Sequence, residues 1–76
     1  MAKTAPVKVG NVYKSLDPDD KFIGKFYQVT GKDKSGVPWE WNYQILDEQN
    51  KVLYSGGWIN SSILKSKKFI LICGQN

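Results

Sequence analysis

The sequence predicts a small all-β domain curled into a barrel, on three observations. Trp39 to Leu46 reads Trp-Glu-Trp-Asn-Tyr-Gln-Ile-Leu; large apolar residues at 39, 41, 43 and 45 alternate with polar ones, the period of a strand with one buried face. Three aromatic rings and an isoleucine on that face carry more apolar area than a single hairpin covers, so other strands must close over them. Short β-forming runs on both sides, punctuated by Gly, Pro, Asp and Asn, supply those strands.

A chain of 76 residues allows one core and no second domain. Domains this small bury roughly 60% of the surface their unfolded chains expose, so their stability is marginal without a further aid. Cys73 has no second cysteine to bridge to, and one cysteine without any histidine makes no structural zinc set. A dense aromatic core, for which 13% Phe, Trp and Tyr is ample, or self-association remains. The net charge of +4 is carried by eleven lysines and no arginine. Lysine attracts phosphate as a point charge but lacks the planar fork that reads a guanine edge. No apolar run reaches membrane-spanning length and Met1 to Pro6 has no secretory apolar stretch, so a soluble protein of a reducing cytoplasm is expected.

In chain order, residues 1–6 read as a flexible arm, 7–73 as the single barrel domain and 74–76 as a tail. Val7 to Leu16 is expected as the first strand, bent or bulged at Gly10, and Asp17-Pro18-Asp19-Asp20 ends it, since Pro presets the turn and Asp side chains bond amides two residues on. Lys25 to Thr30 is the second strand, with Tyr27 and Val29 inward and Phe26, Gln28 and Thr30 outward. Residues 32–38 form a polar loop leading into Trp39 to Leu46, taken as the central strand. Asp47 to Lys51 is short enough to pair that strand antiparallel with Val52 to Ser55. Gly56-Gly57 predicts a bulge before Trp58 and Ile59. Asn60 to Leu64 reads as one capped helical turn, with Asn60 or Ser61 as cap and Ile63 and Leu64 inward. Lys65 to Lys68 is a basic turn, and Phe69 to Ile72 a last strand apolar on both faces. Five short strands with a helical turn before the last is the element order of an SH3-like barrel.

The opening Val-Lys-Val-Gly-Asn-Val-Tyr-Lys-Ser-Leu-Asp-Pro-Asp-Asp, together with Ile59 to Leu64 and Phe69 to Ile72, resembles a family of small single-domain proteins of bacteriophages and actinobacteria. Those begin with a similar Val-Gly-x-Val-Tyr stretch running into Asp-Pro and end with an Ile/Leu-rich turn before an aromatic-containing strand. The chain departs from them in carrying Lys where they favour Arg and in its Trp-rich middle. The resemblance covers both ends of the chain; it implies an SH3-like fold and a phage source, hence the cytoplasm of a bacterial or phage-infected cell, and it implies no activity.

Residue chemistry points away from catalysis. The commonest general base is missing, Cys73 has no histidine to activate it, and Asp17, Asp19 and Asp20 lack the downstream bidentate Glu of a calcium loop. A strand-end hydrophobe and a solvated turn are the preferred readings, so no enzyme activity, cofactor or metal is expected. Two binding classes remain. Protein binding, to a second copy through an edge strand or to a host protein, would use Trp39, Trp58, Phe26 and Tyr54 as anchors, because these rings exceed what one five-stranded core can hide. Sequence-independent nucleic-acid binding would use Lys32, Lys34, Lys65, Lys67 and Lys68 for phosphate and Trp39 or Trp58 for stacking, although Asp33, Asp47 and Glu48 interrupt that field. Within the third strand, Trp41, Tyr43 and Ile45 are expected in the core and Trp39 half exposed at its mouth.

Overall fold

Alternation and turn residues dictate where strands form, and five do: β1 (Val12–Ser15), β2 (Phe26–Lys32), β3 (Glu40–Leu46), β4 (Val52–Asn60) and β5 (Phe69–Cys73), with the single-turn helix α1 (Ser61–Leu64) before β5. They were located in a computed structural model that describes residues 6–73; the rest of the expected arm and the tail 74–76 lie outside the described residues. All neighbours pair antiparallel, in the order β4-β3-β2-β1-β5. The sheet is open, with β4 and β5 as its edges.

One face of the sheet makes the core. The register sets Tyr13 opposite Tyr27, Tyr27 opposite Ile45 and Ile45 opposite Tyr54, with Val29 opposite Tyr43 in the next row. Val7, Tyr13, Tyr27, Val29, Ile45, Ile59 and Leu64 are buried together, and Phe22, Trp41, Tyr43 and Phe69 pack against them. The sheet curves because residues are inserted without partners: Thr30 in β2, Leu53 and Gly56 in β4, and Ile72 in β5 each fall where the register slips by one. Bulges bend the strand that carries them and increase its twist. Gly56, at φ 91, supplies the left-handed backbone that such an insertion favours. The curl brings the two edges to either side of α1, which contacts both β4 and β5 and drives Leu64 into the core. Asn60 caps the turn, its side chain accepting from the Ser62 amide at 2.8 Å.

Three expectations are corrected and one is refined. The first strand does not run from Val7 to Leu16: the chain turns at Gly10 (φ 97), whose amide donates to the Val29 carbonyl at 2.8 Å, and β1 begins only at Val12. The Trp-rich β3 is not the middle of the sheet; β2 is, with two strands on either side. Ile63 does not face the core but is 43% exposed against 2% for Leu64, because adjacent residues on a helical turn point about 100° apart and one turn offers one inward position. Phe26 points outward as expected but is not a freely exposed ring: it is half-buried on the face opposite the core, beside Leu46, its Cα partner.

Candidate functional site

The long β1–β2 connection is held by a carboxylate. Asp20 accepts the Tyr27 hydroxyl at 2.6 Å, the Ser15 hydroxyl at 2.7 Å and the Phe22 amide at 2.9 Å. Burial pushes the Asp20 carboxyl upward, but the bonds from Tyr27, Phe22 and Ser15 outweigh it and hold the carboxyl below its ordinary value. Burial, followed by the bond to Asp20, raises the Tyr27 phenol well above its own. Both shifts keep the pair as carboxylate and neutral phenol around neutrality, a fixed strut. From it a row of rings runs to the surface. Tyr27 stacks edge-on against Phe69 at 4.9 Å between centroids and lies 5.0 Å from Tyr43; Tyr54 is 6.2 Å from both Tyr43 and Phe22. Tyr54 is exposed, as is Ile23 beside Phe22.

The other face of the sheet carries two grooves of unlike chemistry. One, of about 540 Å³, is polar and includes Thr30, Asp33, Asn42, Gln44 and Ser55. Its amides are committed: Asn42 donates to Asp33 at 2.8 Å and Gln44 to Gln28 at 2.8 Å. The Ser35 amide and then Asn42 hold the Asp33 carboxyl below its usual value. The second groove, of about 280 Å³, is apolar at its floor, where Val12, Phe26, Leu46 and Ile72 meet, and acidic at one rim, with Asp47 and Glu48. Glu48 is paired with Lys25 at 3.0 Å.

Of the anchors expected from sequence, Trp39 and Trp58 are 53% and 57% exposed and Tyr54 is also exposed. Trp39 precedes β3 in a turn whose carbonyl accepts the Ser61 amide at 2.8 Å, whereas Trp58 stands opposite Asn42 on the groove-bearing face. The lysines are dispersed. Lys32 lies 4.4 Å over the Trp41 ring and donates to the Pro38 carbonyl at 2.8 Å. Lys34 borders the polar groove, and Lys65, Lys67 and Lys68 are exposed in the α1–β5 turn, Lys68 3.8 Å from Asp17. Sequence reasoning misses the apolar groove. Its signal is present, an apolar residue at outward positions 12, 26 and 46, but those positions come together only once three strands are in register. Among the described residues no group of three or more His, Cys, Asp or Glu could hold a metal ion, and no helix is long and apolar enough to cross a membrane.

Fold and surface together define a small, lysine-rich all-β protein whose five-stranded antiparallel sheet leaves apolar residues exposed at both edges. No family model, curated protein or solved structure matches this chain.

Proposed function

We propose that the chain is an SH3-like small β-barrel acting as a non-enzymatic protein-binding module. Support for the barrel comes from the strand order β4-β3-β2-β1-β5 and from the helical turn that bridges the two edges. The observation that carries the function is the number of large apolar side chains left in solvent. Among the described residues twelve are exposed, including Trp39, Tyr54, Trp58, Ile70, Leu71 and Ile72, and surface rings of this kind are typical anchors of protein interfaces. Partners of two kinds fit, a second copy or a host protein, the latter if the source is a phage. Sizing at two salt concentrations over a range of protein concentration tests the reading. Retention should depend on concentration, or shift with a partner, and Trp39→Ala or Trp58→Ala should weaken a host interaction while leaving the fold intact. A protein that stays monomeric and leaves bacterial partners unbound overturns it.

Sequence-independent nucleic-acid binding is the second reading. It is favoured by Trp39 and Trp58, both more than half exposed, and by Lys34, Lys65 and Lys67, which form no ion pair among the described residues. Such binding is salt-sensitive, because it releases counterions. Unchanged tryptophan fluorescence on adding single-stranded DNA or RNA at low salt eliminates it.

A further inference from the structure

We infer that β5 is a self-association edge, and that two copies of this chain pair β5 to β5, antiparallel, about a two-fold axis at Leu71. The inference rests on the protein-binding reading and names the partner for one of its surfaces.

Composition is the first ground. Phe69-Ile70-Leu71-Ile72-Cys73 contains no charge and no proline, and Ile70, Leu71 and Ile72 are 49%, 36% and 53% exposed. Natural edge strands are usually blunted by charge, proline, bulges or a covering element. β4, the opposite edge, carries two bulges, at Leu53 and Gly56, whereas β5 carries one, at Ile72 near its end. Over Phe69 to Leu71, β5 runs in regular register against β1.

The backbone itself picks the axis. In an antiparallel ladder, hydrogen-bonded and non-bonded residue pairs alternate. The Leu16 amide donates to the Lys68 carbonyl at 2.7 Å, so the pair 16/68 is of the bonded kind. Two residues on, Lys14 and Ile70 are bonded likewise, which turns the amide and carbonyl of Leu71 away from β1. The Phe69 amide agrees with this alternation: it donates to the Ser66 carbonyl at 3.3 Å, within its own turn. Leu71 thus presents an outward donor and an outward acceptor at the centre of a five-residue strand. A two-fold axis there lets each Leu71 exchange both bonds with its counterpart, and sets Ile70 opposite the Ile72 of the second copy. Ile70 and Ile72 share the face that holds the apolar groove of Val12, Phe26 and Leu46. The two grooves then run together across the axis.

Charge selects the antiparallel arrangement. Lys67 and Lys68 lie just before the strand. In antiparallel pairing about Leu71 the two Lys68 residues fall six positions apart, about 20 Å at the strand rise of 3.3 Å per residue, well beyond the ~8 Å screening length of physiological salt. A parallel or in-register stack would set these lysines side by side, about 5 Å apart.

Amide hydrogen exchange on the unmodified protein provides the first test. The Leu71 amide should be protected at high protein concentration and lose that protection on dilution, while the Ile70 amide, bonded to β1, stays protected throughout. Cysteine cross-linking in a Cys73→Ser background is the second. Bonded pairs stand about 5.5 Å apart between Cα atoms, within disulfide reach. Leu71→Cys should therefore double in mass under mild oxidant, Ile70→Cys and Ile72→Cys should each stay monomeric, and the Ile70→Cys/Ile72→Cys double variant should double in mass without altering position 71. The unmodified protein should not cross-link through Cys73, whose copies would sit four positions, about 13 Å, apart. Concentration-independent exchange at Leu71, equal cross-linking at all positions, or cross-linking through Cys73 overturns the inference. If β5 instead takes up a strand from another protein, protection at Leu71 will appear only with that protein; the dimer is then excluded and the protein-binding reading survives.

Discussion

Replacing Tyr27 by Phe removes one oxygen and isolates the bond that ties the β1–β2 connection to the core. The ring stays, with its packing against Phe69 and Tyr43; only the 2.6 Å bond to Asp20 is lost. Hydrogen bonds to a charged partner contribute about 1.5–3 kcal/mol. Asp20 keeps the Ser15 hydroxyl and the Phe22 amide and retains contact with solvent, so the lower part of that range applies, about 1.5–2 kcal/mol. A domain of 60–100 residues loses about 4–8 °C of melting temperature per kcal/mol, which gives Tyr27→Phe a deficit on the order of 6–16 °C by circular dichroism at pH 7.

The pH dependence gives the sign. The folded Asp20 pKa lies below its unfolded value, so its contribution is present above about pH 3.9 and disappears as pH falls through the folded value. Tyr27 behaves oppositely. Its folded pKa is raised, so its contribution is full below the unfolded pKa of about 10 and is lost as pH climbs beyond it. The gap between the two proteins should therefore narrow at both extremes, as pH falls below about 3.9 and as it rises above about 10. A Tyr27→Phe protein that melts with the wild type at pH 7, or a gap that is constant from pH 3 to 11, would refute the strut.

Two further substitutions probe how the sheet is closed and curved. Leu64→Ala empties a fully buried site and should cost about 2–5 kcal/mol in urea denaturation, whereas Ile63→Ala, one residue earlier on the exposed side of α1, should change stability by less than about 1 kcal/mol. At Gly57, an added Cβ would lie 2.6 Å from the Tyr43 hydroxyl oxygen and 2.7 Å from the ring carbon bearing it. Gly57→Ala should thus cost about 1–3 kcal/mol, and appreciably less when Tyr43→Leu has already removed the ring.

Where burial is one-sided, alternation reads correctly from sequence: Tyr27 and Val29 are inward, Ile45 is fully buried, and Trp39 stands out in the turn just before β3 while Trp41 is half-buried. Local side-chain chemistry reads equally well. Asp17 bonds the amide of Asp19, Asp20 that of Phe22, and Asn60 that of Ser62, each within two residues. What escapes the sequence is set at long range. Gly10 leaves the strand because its amide finds Val29, nineteen positions away. Thr30 and Leu53 carry no mark of a bulge, since their insertion is defined by the neighbouring strand. The apolar groove likewise needs Val12, Phe26 and Leu46 from three strands, and the rank of β2 over β3 depends on β1 joining its far side.

The pairing of β1 with β5 also has a consequence in time. The ladder joins residues such as Ser15 and Phe69, so most of the chain must be looped before it can form, and contacts of that sequence separation slow folding toward milliseconds to seconds. Throughout that interval Phe-Ile-Leu-Ile-Cys is unpaired on both sides, an uncharged β-forming segment of the length that seeds aggregates. Lys65, Lys67 and Lys68 stand immediately ahead of it and repel their counterparts in any in-register stack of unfolded chains. The basic turn then serves the folding chain as a gatekeeper, a role that would persist even if no polyanion ever met it.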